Sequence, residues 1–339
     1  MDGFITDADA LQACVGKLPG PRDLKVIGFL DTHALRWLSH SSLGFVAFGD
    51  TTGLRATIAG GTAGFAQGDE HNLRIPLALL DQPSLAREGA AFASLFLVPG
   101  LGETLRINGR VTAVDPGQVT VEVRECYLHC AKALIRSDFW SATPLALDDD
   151  ASIPADTWPA QARFMVVATM DAQGRADLSP KGDPAGMLLQ SHGGALWYPD
   201  RPGNRRVDSF RNLLQQPRIA LLAMVPGSLR VLSLAGSARI ATDEGVRHAF
   251  SVGDRIPNLV TRVDVDADAP TVERSAALER ATPWPAAPAP TDIEPAAIFR
   301  DHVKLSASRG AAATLVRAAV SVPGLMRKGL DKDYKQNLY

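Results

Sequence analysis

Apolar residues in this chain fall mainly in short runs, which predicts many strands and few long helices. Residues 44–56 (GFVAFGDTTGLRA) and 163–176 (RFMVVATMDAQGRA) each contain an apolar run, a turn with Asp and Gly, and a second run. This arrangement predicts a β-hairpin in each stretch. Residues 207–216 (VDSFRNLLQQ) have apolar side chains at helical spacing, so we expect a short amphipathic helix that ends before Pro217.

The same order of patterns occurs twice along the chain. Residues 94–109 (SLFLVPGLGETLRING) align with 221–236 (LLAMVPGSLRVLSLAG) through a Pro-Gly pair, and the two hairpins precede them with Phe45 aligned to Phe164. The conserved order favours divergent duplication over chance similarity. Because each copy is rich in strands, we expect each to form a small barrel.

Two proline-rich segments divide the chain. Residues 143–159 (TPLALDDDASIPADTWP) and 282–290 (TPWPAAPAP) are poor core sequences and are predicted to be linkers. The expected fold class is mainly β with short helices (α+β). The predicted organisation is an N-terminal segment (1–28), a first barrel (29–145), a linker (146–160), a second barrel (161–265), and a proline-rich linker with a C-terminal helical tail (266–339).

Composition narrows the function classes. The 339 residues include 35 Lys and Arg against 37 Asp and Glu, and this balance argues against a nucleic-acid-binding protein. No apolar run approaches the ~18 residues of a membrane span, and the acidic N-terminus does not resemble a secretory signal. Three cysteines cannot form a paired disulfide framework. We therefore expect a cytoplasmic protein.

The first candidate site lies between residues 174 and 211. Its polar and cationic side chains cluster around Gly and Pro turns before the predicted helix: Ser179, Lys181, Asn204, Arg205 and Arg206. Arginine offers a planar fork of donors to phosphate, lysine a point charge, and the helix start adds N–H groups. The pattern predicts a phosphate-binding cradle. A solvated basic loop with ion pairs to nearby aspartates remains the alternative.

The second candidate segment is residues 126–140 (CYLHCAKALIRSDFW). If it is helical, His129, Lys132 and Arg136 share one face. Cys126, His129 and Cys130 are metal-ligand types, but no second ligand pair lies at zinc spacing, so buried structural cysteines are expected and no metal site. His129 is either a hydrogen-bonded structural residue or a catalytic one. The chain contains no GxGxxG, GxxxxGK[ST], GxSxG or HExxH motif.

Four segments carry a family resemblance over about residues 30–265. SPKGDPAG (179–186), YPDRPGNRRVDSFRN (198–212), GETLRINGR (102–110) and HCAKALIRSDFW (129–140) resemble the pyridoxamine 5′-phosphate oxidase-like superfamily of FMN-binding split barrels. The resemblance implies six-stranded antiparallel barrels that dimerise, with FMN at the dimer interface. It also implies flavin-mediated hydride transfer, although some members bind haem or the deazaflavin F420.

These family segments are divided between the two copies. The first copy has TIAGGTAG where the second has SPKGDPAG, and the second has SLRVLSLAG where the first has GETLRING, with no HCAKALIRS after it. We therefore predict an intramolecular pseudo-dimer with one composite FMN site. Its predicted residues are Ser179, Lys181, Asn204, Arg205 and Arg206 from the second copy, and Arg106, Asn108, His129, Lys132 and Arg136 from the first.

The resemblance implies an FMN-dependent oxidoreductase that acts on a small molecule, with NAD(P)H as a candidate electron donor. In this interpretation Lys132 and Arg136 stabilise negative charge on the reduced flavin, and His129 is the catalytic residue that transfers a proton. Two alternatives are a flavin- or haem-binding carrier or sensor without turnover, and a scaffold that has lost its cofactor. The chain is expected to be a monomer, as the pseudo-dimer, or a homodimer.

Overall fold

A computed structural model describes residues 3–16, 23–203, 207–266, 271–307, 314, 316–318 and 324–339. The first sheet consists of β1 (Leu43–Gly49), β2 (Leu54–Gly60), β3 (Gln67–Gly68), β4 (Asn72–Pro76), β5 (Ala91–Leu97), β6 (Thr104–Val114) and β7 (Gln118–His129). The second consists of β8 (Phe164–Met170), β9 (Ala176–Gly182), β10 (Gln190–His192), β11 (Ala195–Pro199), β12 (Arg218–Met224), β13 (Arg230–Ala241), β14 (Val260–Val265) and β15 (Thr271–Arg274).

Short helices connect and flank the sheets. They are α1 (Ala8–Val15), α2 (Thr32–His40), α3 (Lys132–Arg136), α4 (Leu147–Ser152), α5 (Trp158–Gln161), α6 (Asp208–Gln215), α7 (Glu244–Ala249), α8 (Ala276–Ala281), α9 (Pro295–Leu305) and the C-terminal helix (Leu325–Gln336). Four 3-10 turns lie at Leu77–Leu79, Pro83–Leu85, Phe139–Ser141 and Ala155–Thr157. No helix in the described part of the chain is long and apolar enough to cross a membrane.

The two sheets share one topology. The first has the strand order β2-β1-β5-β6-β7-β4-β3 and the second has the order β9-β8-β12-β13-β14-β11-β10, with β15 also paired to β13. Neighbouring strands in both sheets are antiparallel, and each copy opens with the predicted hairpin. The predicted mainly β fold with tandem split barrels, short helices and a helical tail is confirmed. The sheets contain seven and eight strands, because short strands extend the expected six.

The pairing registers correct the alignment of the two hairpins. Leu43 lies opposite Leu97 on β5, and Phe164 lies opposite Met224 on β12. Since the Pro-Gly alignment makes Leu97 equivalent to Met224, the counterpart of Phe164 is Leu43, and aligning it with Phe45 was wrong by two residues. A shift of two keeps each side chain on the same face of its strand, so the apolar pattern alone does not reveal it.

The helix predicted over residues 126–140 is wrong in its first part. Strand β7 continues to His129, which pairs with Thr104, and Cys126 pairs with Ile107. Cys126 also forms a bridge to Ile27 on its other side. Because strand pairing satisfies the backbone of this stretch, the helix is confined to Lys132–Arg136. His129 therefore ends a strand and does not share a helical face with the two cations.

The second copy has a counterpart of α3, although the sequence indicated none. Strand β15 pairs with the start of β13, where Ser233 lies opposite Thr271. The Pro-Gly alignment makes Ser233 equivalent to Arg106, and Arg106 lies opposite Tyr127 of β7 in the first copy. Helix α8 follows β15 as α3 follows β7. The residues after the two helices, Asp138 and Thr282, both have left-handed backbone, with φ of 48° and 39°. The fold kept this element, and Ala277, Leu278 and Arg280 still match Ala133, Leu134 and Arg136, whereas Lys132 has Ala276 as its counterpart.

The strands at the centre of the molecule bury both faces, which explains their continuous apolar runs. On β1, Val46 and Phe48 belong to the core of the first unit, whereas Phe45 and Ala47 belong to a cluster between the two sheets. The rings of Phe45 and Phe164 are 5.5 Å apart in that cluster. The hydrophobic effect therefore holds the two units together as well as each unit's own core.

The chain ends pack across the predicted domain boundaries. Leu11 of α1 is buried in the core of the second unit, and Phe4 forms a β-bridge with Ala241 of β13. Ile298 and Phe299 of α9 are buried in the core of the first unit. Each unit thus completes its core with a segment from the opposite end of the chain.

Candidate functional site

A cavity of about 370 Å³ lies between the two units and is lined by both. The first unit contributes Arg106 from β6, His129 from the end of β7, and Lys132 and Arg136 from α3. The second contributes Ser179 and Lys181 from β9. The structure therefore brings these six predicted residues together, and the volume falls within the range of small-molecule sites.

Arg106 joins the two units at the wall of this cavity. Its side chain is 1% exposed, and its Nη1 donates to the Tyr127 hydroxyl at 2.7 Å and pairs with Asp177. Its Nη2 donates to the Ser179 hydroxyl at 3.1 Å, and that hydroxyl donates to Asp177 at 2.9 Å. A buried ion pair is costly unless its hydrogen bonds are satisfied. This network fixes the position of Ser179 at the cavity.

Lys181 is held between a carboxylate and two aromatic rings. Its Nζ is 3.6 Å from Asp200, and lies 5.9 Å and 5.5 Å from the ring centroids of Tyr198 and Phe210. Burial raises the pKa of Asp200, and the nearby Lys181 charge opposes that rise. An ion pair with Asp200 is what the alternative interpretation, a solvated basic loop, predicts for Lys181. Lys181 therefore forms that ion pair and also lines the cavity.

Sequence reasoning missed Arg201 as a site residue. Its Nε donates to both carboxylate oxygens of Asp183 at 3.0 Å, and its Nη2 donates to the Phe250 carbonyl at 2.8 Å. Burial raises the pKa of Asp183 to about 6, although the Arg201 charge acts in the opposite direction. Asp183 and Arg201 lie within the segments 179–186 and 198–212 that carry the family resemblance, and this position in the sequence could have identified Arg201 as a site residue.

The chain's own C-terminal segment contacts the cations of α3. The Lys132 Nζ is 2.9 Å from the Asp333 carboxylate. The Arg136 Nε donates to the Leu338 carbonyl at 2.6 Å, and another of its nitrogens donates to the Pro202 carbonyl. Burial lowers the pKa of Arg136. The ring of Tyr339 also lines the cavity.

Four predicted residues are not placed in this cavity. Asn108 donates to Glu125 at 2.9 Å and lines a second cavity of about 390 Å³. It shares a strand face with Arg106 but lies about 7 Å further along β6, beyond the Arg106–Asp177 pair. Asn204, Arg205 and Arg206 lie outside the described residues. The residues that flank them, Gly203 and Val207, line the main cavity.

The charges at the cavity suit an anionic ligand. Among the described residues, six basic side chains line it, against three carboxylates: Arg106, Lys132, Arg136, Lys181, Arg201 and Arg255, with Asp183, Asp200 and Asp208. Clefts with an excess of one charge concentrate ligands of the opposite charge. Together with the Ser179 hydroxyl, these donors fit a phosphate group and, on that chemistry, FMN.

Metal ligation has no comparable support in the described residues. They contain no group of three or more His, Cys, Asp or Glu side chains that could hold a metal ion. Cys126 is fully buried, and burial raises the pKa of its thiol. A thiol with a raised pKa is a poor thiolate ligand, which supports the structural interpretation of Cys126.

The pseudo-equivalent position on the other side of the interface lacks both lysines and keeps one arginine. Arg280 of α8 corresponds there to Arg136, and its Nε donates to the Gly60 carbonyl at 3.1 Å. Thr57 and Ala59 correspond there to Ser179 and Lys181, and Ala276 of α8 corresponds to Lys132. The Asp81 carboxylate meets the start of α8, where it accepts hydrogen bonds from the Ser275 hydroxyl at 2.5 Å and the Ala277 N–H at 2.8 Å. A carboxylate there disfavours an anionic ligand.

Comparison with known proteins addresses the second unit. A family model described as pyridoxamine 5′-phosphate oxidase matches residues 155–283, from before β8 to just after α8. No curated protein sequence matches the chain.

Solved structures with similarity to the chain each cover about a third of it. HupZ from Group A Streptococcus is 18% identical, covers 34% of this chain and 90% of its own, and has a TM-score of 0.27. General Stress Protein 26 from Bacillus anthracis is 15% identical, and the match covers 35% of this chain and 94% of that protein, with a TM-score of 0.27. The heme storage protein HutZ from Vibrio cholerae is 12% identical, and the match covers 37% of this chain and 94% of that protein, with a TM-score of 0.25.

The family match and the fold agree with the resemblance read from the sequence. The matched residues include the β8–β9 hairpin with Ser179 and Lys181, and the second sheet repeats the topology of the first. Residues 155–283 of this chain therefore match the pyridoxamine 5′-phosphate oxidase family in both sequence pattern and fold.

Proposed function

We propose that the chain binds FMN in the cavity between the two units and is an FMN-dependent oxidoreductase. The observation that carries this proposal is the convergence of donors from both units on one cavity. Lys181 and Ser179 come from β9, whereas Arg106, Lys132 and Arg136 come from β6 and α3. The family of residues 155–283 supports the same ligand class.

The phosphate is assigned to the second unit's side of the cavity. Lys181 supplies a point charge. The Ser179 hydroxyl accepts from Arg106 and donates to Asp177, and it would turn its single O–H from Asp177 to the phosphate on binding. Asn204, Arg205 and Arg206 remain proposed phosphate ligands, because the residues on either side of them line the cavity. The cationic loop then leads directly into α6, whose first N–H groups also favour an anion.

Hydride transfer is the chemistry that FMN supplies when bound. The chain places two buried cations, Lys132 and Arg136, at the wall where they stabilise developing negative charge. Their burial strengthens that effect, because a charge acts more strongly where the effective dielectric constant is low. His129 is the proposed proton donor or acceptor toward a small-molecule substrate, since histidine is the side chain most often used to give or take a proton in catalysis.

One observation also favours the alternative of a haem-binding carrier. His129 lines the cavity, and histidine is a common axial ligand of haem iron. The absorbance spectrum separates the two proposals: flavin bands support the oxidoreductase or a flavin carrier, whereas a Soret band supports haem. Bleaching of bound flavin by NAD(P)H, followed by reoxidation with a candidate acceptor, distinguishes turnover from storage.

The test of FMN binding is Lys181→Ala in the full-length chain. Loss of a charged donor to phosphate is expected to raise the dissociation constant for FMN by about tenfold, measured by quenching of flavin fluorescence. Lys304→Ala is the matched control, because Lys304 is half-exposed on α9, pairs with Asp301 and does not line the cavity. Equal FMN affinity of the wild type and Lys181→Ala contradicts the proposal.

A further inference from the structure

The C-terminal segment, residues 325–339, is anchored beside the cavity by Tyr334. The Tyr334 hydroxyl donates to the Glu103 carboxylate at 2.8 Å and accepts a hydrogen bond from the Ala131 N–H at 3.3 Å. Ala131 immediately precedes α3. Leu330 packs against the core of the first unit. These contacts direct the end of the segment toward the cations of α3.

The last residues of this segment offer the same kinds of groups as an anionic, aromatic ligand. The Asp333 carboxylate is on Lys132, and the Leu338 carbonyl is on Arg136. The Tyr339 ring lies 5.5 Å and 5.6 Å from the guanidinium carbons of Arg136 and Arg201. The segment therefore places a carboxylate, a carbonyl and an aromatic ring against three cations that line the cavity.

We propose that residues 325–339 form an autoinhibitory cover that competes with FMN for Lys132, Arg136 and Arg201. This inference rests on the proposed function, because it assigns FMN to the same cavity. The competition follows from geometry: Tyr339 forms part of the wall of the cavity and covers Arg136 and Arg201, and a donor engaged by the segment is not available to the ligand. FMN binding then requires the segment to move away.

The contacts of the segment are of a strength that a ligand can displace. The Asp333 side chain is 42% exposed, and Leu338 and Tyr339 are only partly buried. Ion pairs that remain in contact with solvent contribute little to stability. Burial acts to raise the pKa of Asp333, but its hydrogen bond with Lys132 and other nearby donors outweigh burial and lower the pKa, so it competes as an anion at neutral pH.

The affinity test uses two full-length variants, Asp333→Asn and Tyr339→Ala. Each weakens the cover, so the competent fraction of the protein rises, and we expect the apparent dissociation constant for FMN to fall by about three- to tenfold. Asp148→Asn is the charge-matched control, because Asp148 is exposed on α4 and does not line the cavity. The control is expected to leave the affinity unchanged.

Hydrogen exchange of residues 325–339 provides the second readout. Saturating FMN is expected to speed exchange in this segment by at least about threefold, because the ligand displaces it. Slower exchange with FMN, or FMN affinity that is unchanged or weaker in both variants, overturns the cover while leaving the proposed function intact. FMN binding by the variants alone supports both proposals. No FMN binding by the wild type or by either variant overturns both.

Discussion

At the scale of single residues, the notable feature of the cavity is that two of its arginines form buried ion pairs with aspartates. Arg201 and Asp183 are both nearly inaccessible to solvent, and Arg106, which also lines the cavity, pairs with the buried Asp177 in the same way. Such pairs cost desolvation energy and are weak contributors to stability. Their presence at a ligand-sized cavity is therefore better explained by the positioning of donors than by folding.

The raised pKa of Asp183 predicts a pH-dependent stability. Between the ordinary pKa of an unfolded aspartate, about 3.9, and the folded value, the folded state holds a proton that the unfolded state has lost. The contribution of Asp183 is therefore fully present below about pH 4 and is lost as pH rises through a pKa of about 6. Urea titrations measure this effect: as the pH rises from about 4 to about 6, the free energy of unfolding of the wild type should fall relative to that of Asp183→Asn. A difference that is constant or rises with pH contradicts the assignment.

At the scale of elements, each barrel docks the end of its opening hairpin against a helix of the other unit. Gly182 at the end of β9 meets α3, and Gly60 at the end of β2 meets α8. A Cβ atom at Gly182 would lie 1.9 Å from the Ala133 carbonyl, and one at Gly60 would lie 2.3 Å from the Ala277 carbonyl. Glycine is required at both positions because backbone approaches backbone.

Gly182→Ala is accordingly expected to destabilise the protein by about 2–3 kcal/mol, since the added methyl group must displace α3. Chemical denaturation measures the loss. Gly117→Ala is the control, because no atom lies within 4 Å of a Cβ at that position. Gly60→Ala should be similarly destabilising, but only Gly182→Ala should also weaken FMN binding. Equal stability of Gly182→Ala and Gly117→Ala would show that the close approach is not rigid.

At the scale of the whole molecule, the duplicated units form a pseudo-symmetric pair with unequal interfacial positions. One position collects several lysine and arginine side chains, while the other has Ala59, Ala276 and the Asp81 carboxylate and keeps only Arg280 of the equivalent cations among the described residues. A symmetric homodimer would keep two equivalent positions, whereas fusion allows them to diverge. The exchanged terminal segments further join the two units into one structure.

This asymmetry predicts one FMN per chain. Protein saturated with FMN, freed of excess ligand and then denatured should release flavin in a 1:1 ratio to polypeptide by absorbance. The ratio is the same for a monomer and for a homodimer of whole chains, so it tests the fusion and not the oligomeric state. A ratio of two flavins per chain would show that the position near Asp81 also binds.

Much of the candidate site was predictable because its residues belong to short continuous segments. Lys181, Ser179, Lys132 and Arg136 each stand in a recognisable motif, and the two copies had lost different motifs. Asn108 shows the limit of this reasoning, since a motif does not reveal how far along a strand a cavity extends. Arg201 shows another limit, because its role depends on a partner 18 residues away.

The sequence by itself determined the hairpins, the order of elements and the duplication, because periodicity of apolar residues and turn chemistry act over a few neighbouring positions. Only the tertiary structure decided that α8 matches α3, that His129 ends a strand, that each terminus completes the opposite unit, and that Tyr339 lines the cavity. These features depend on contacts such as that between Arg136 and Leu338, 202 positions apart. No local pattern encodes such a contact, since its free energy comes from groups that only the folded chain brings together.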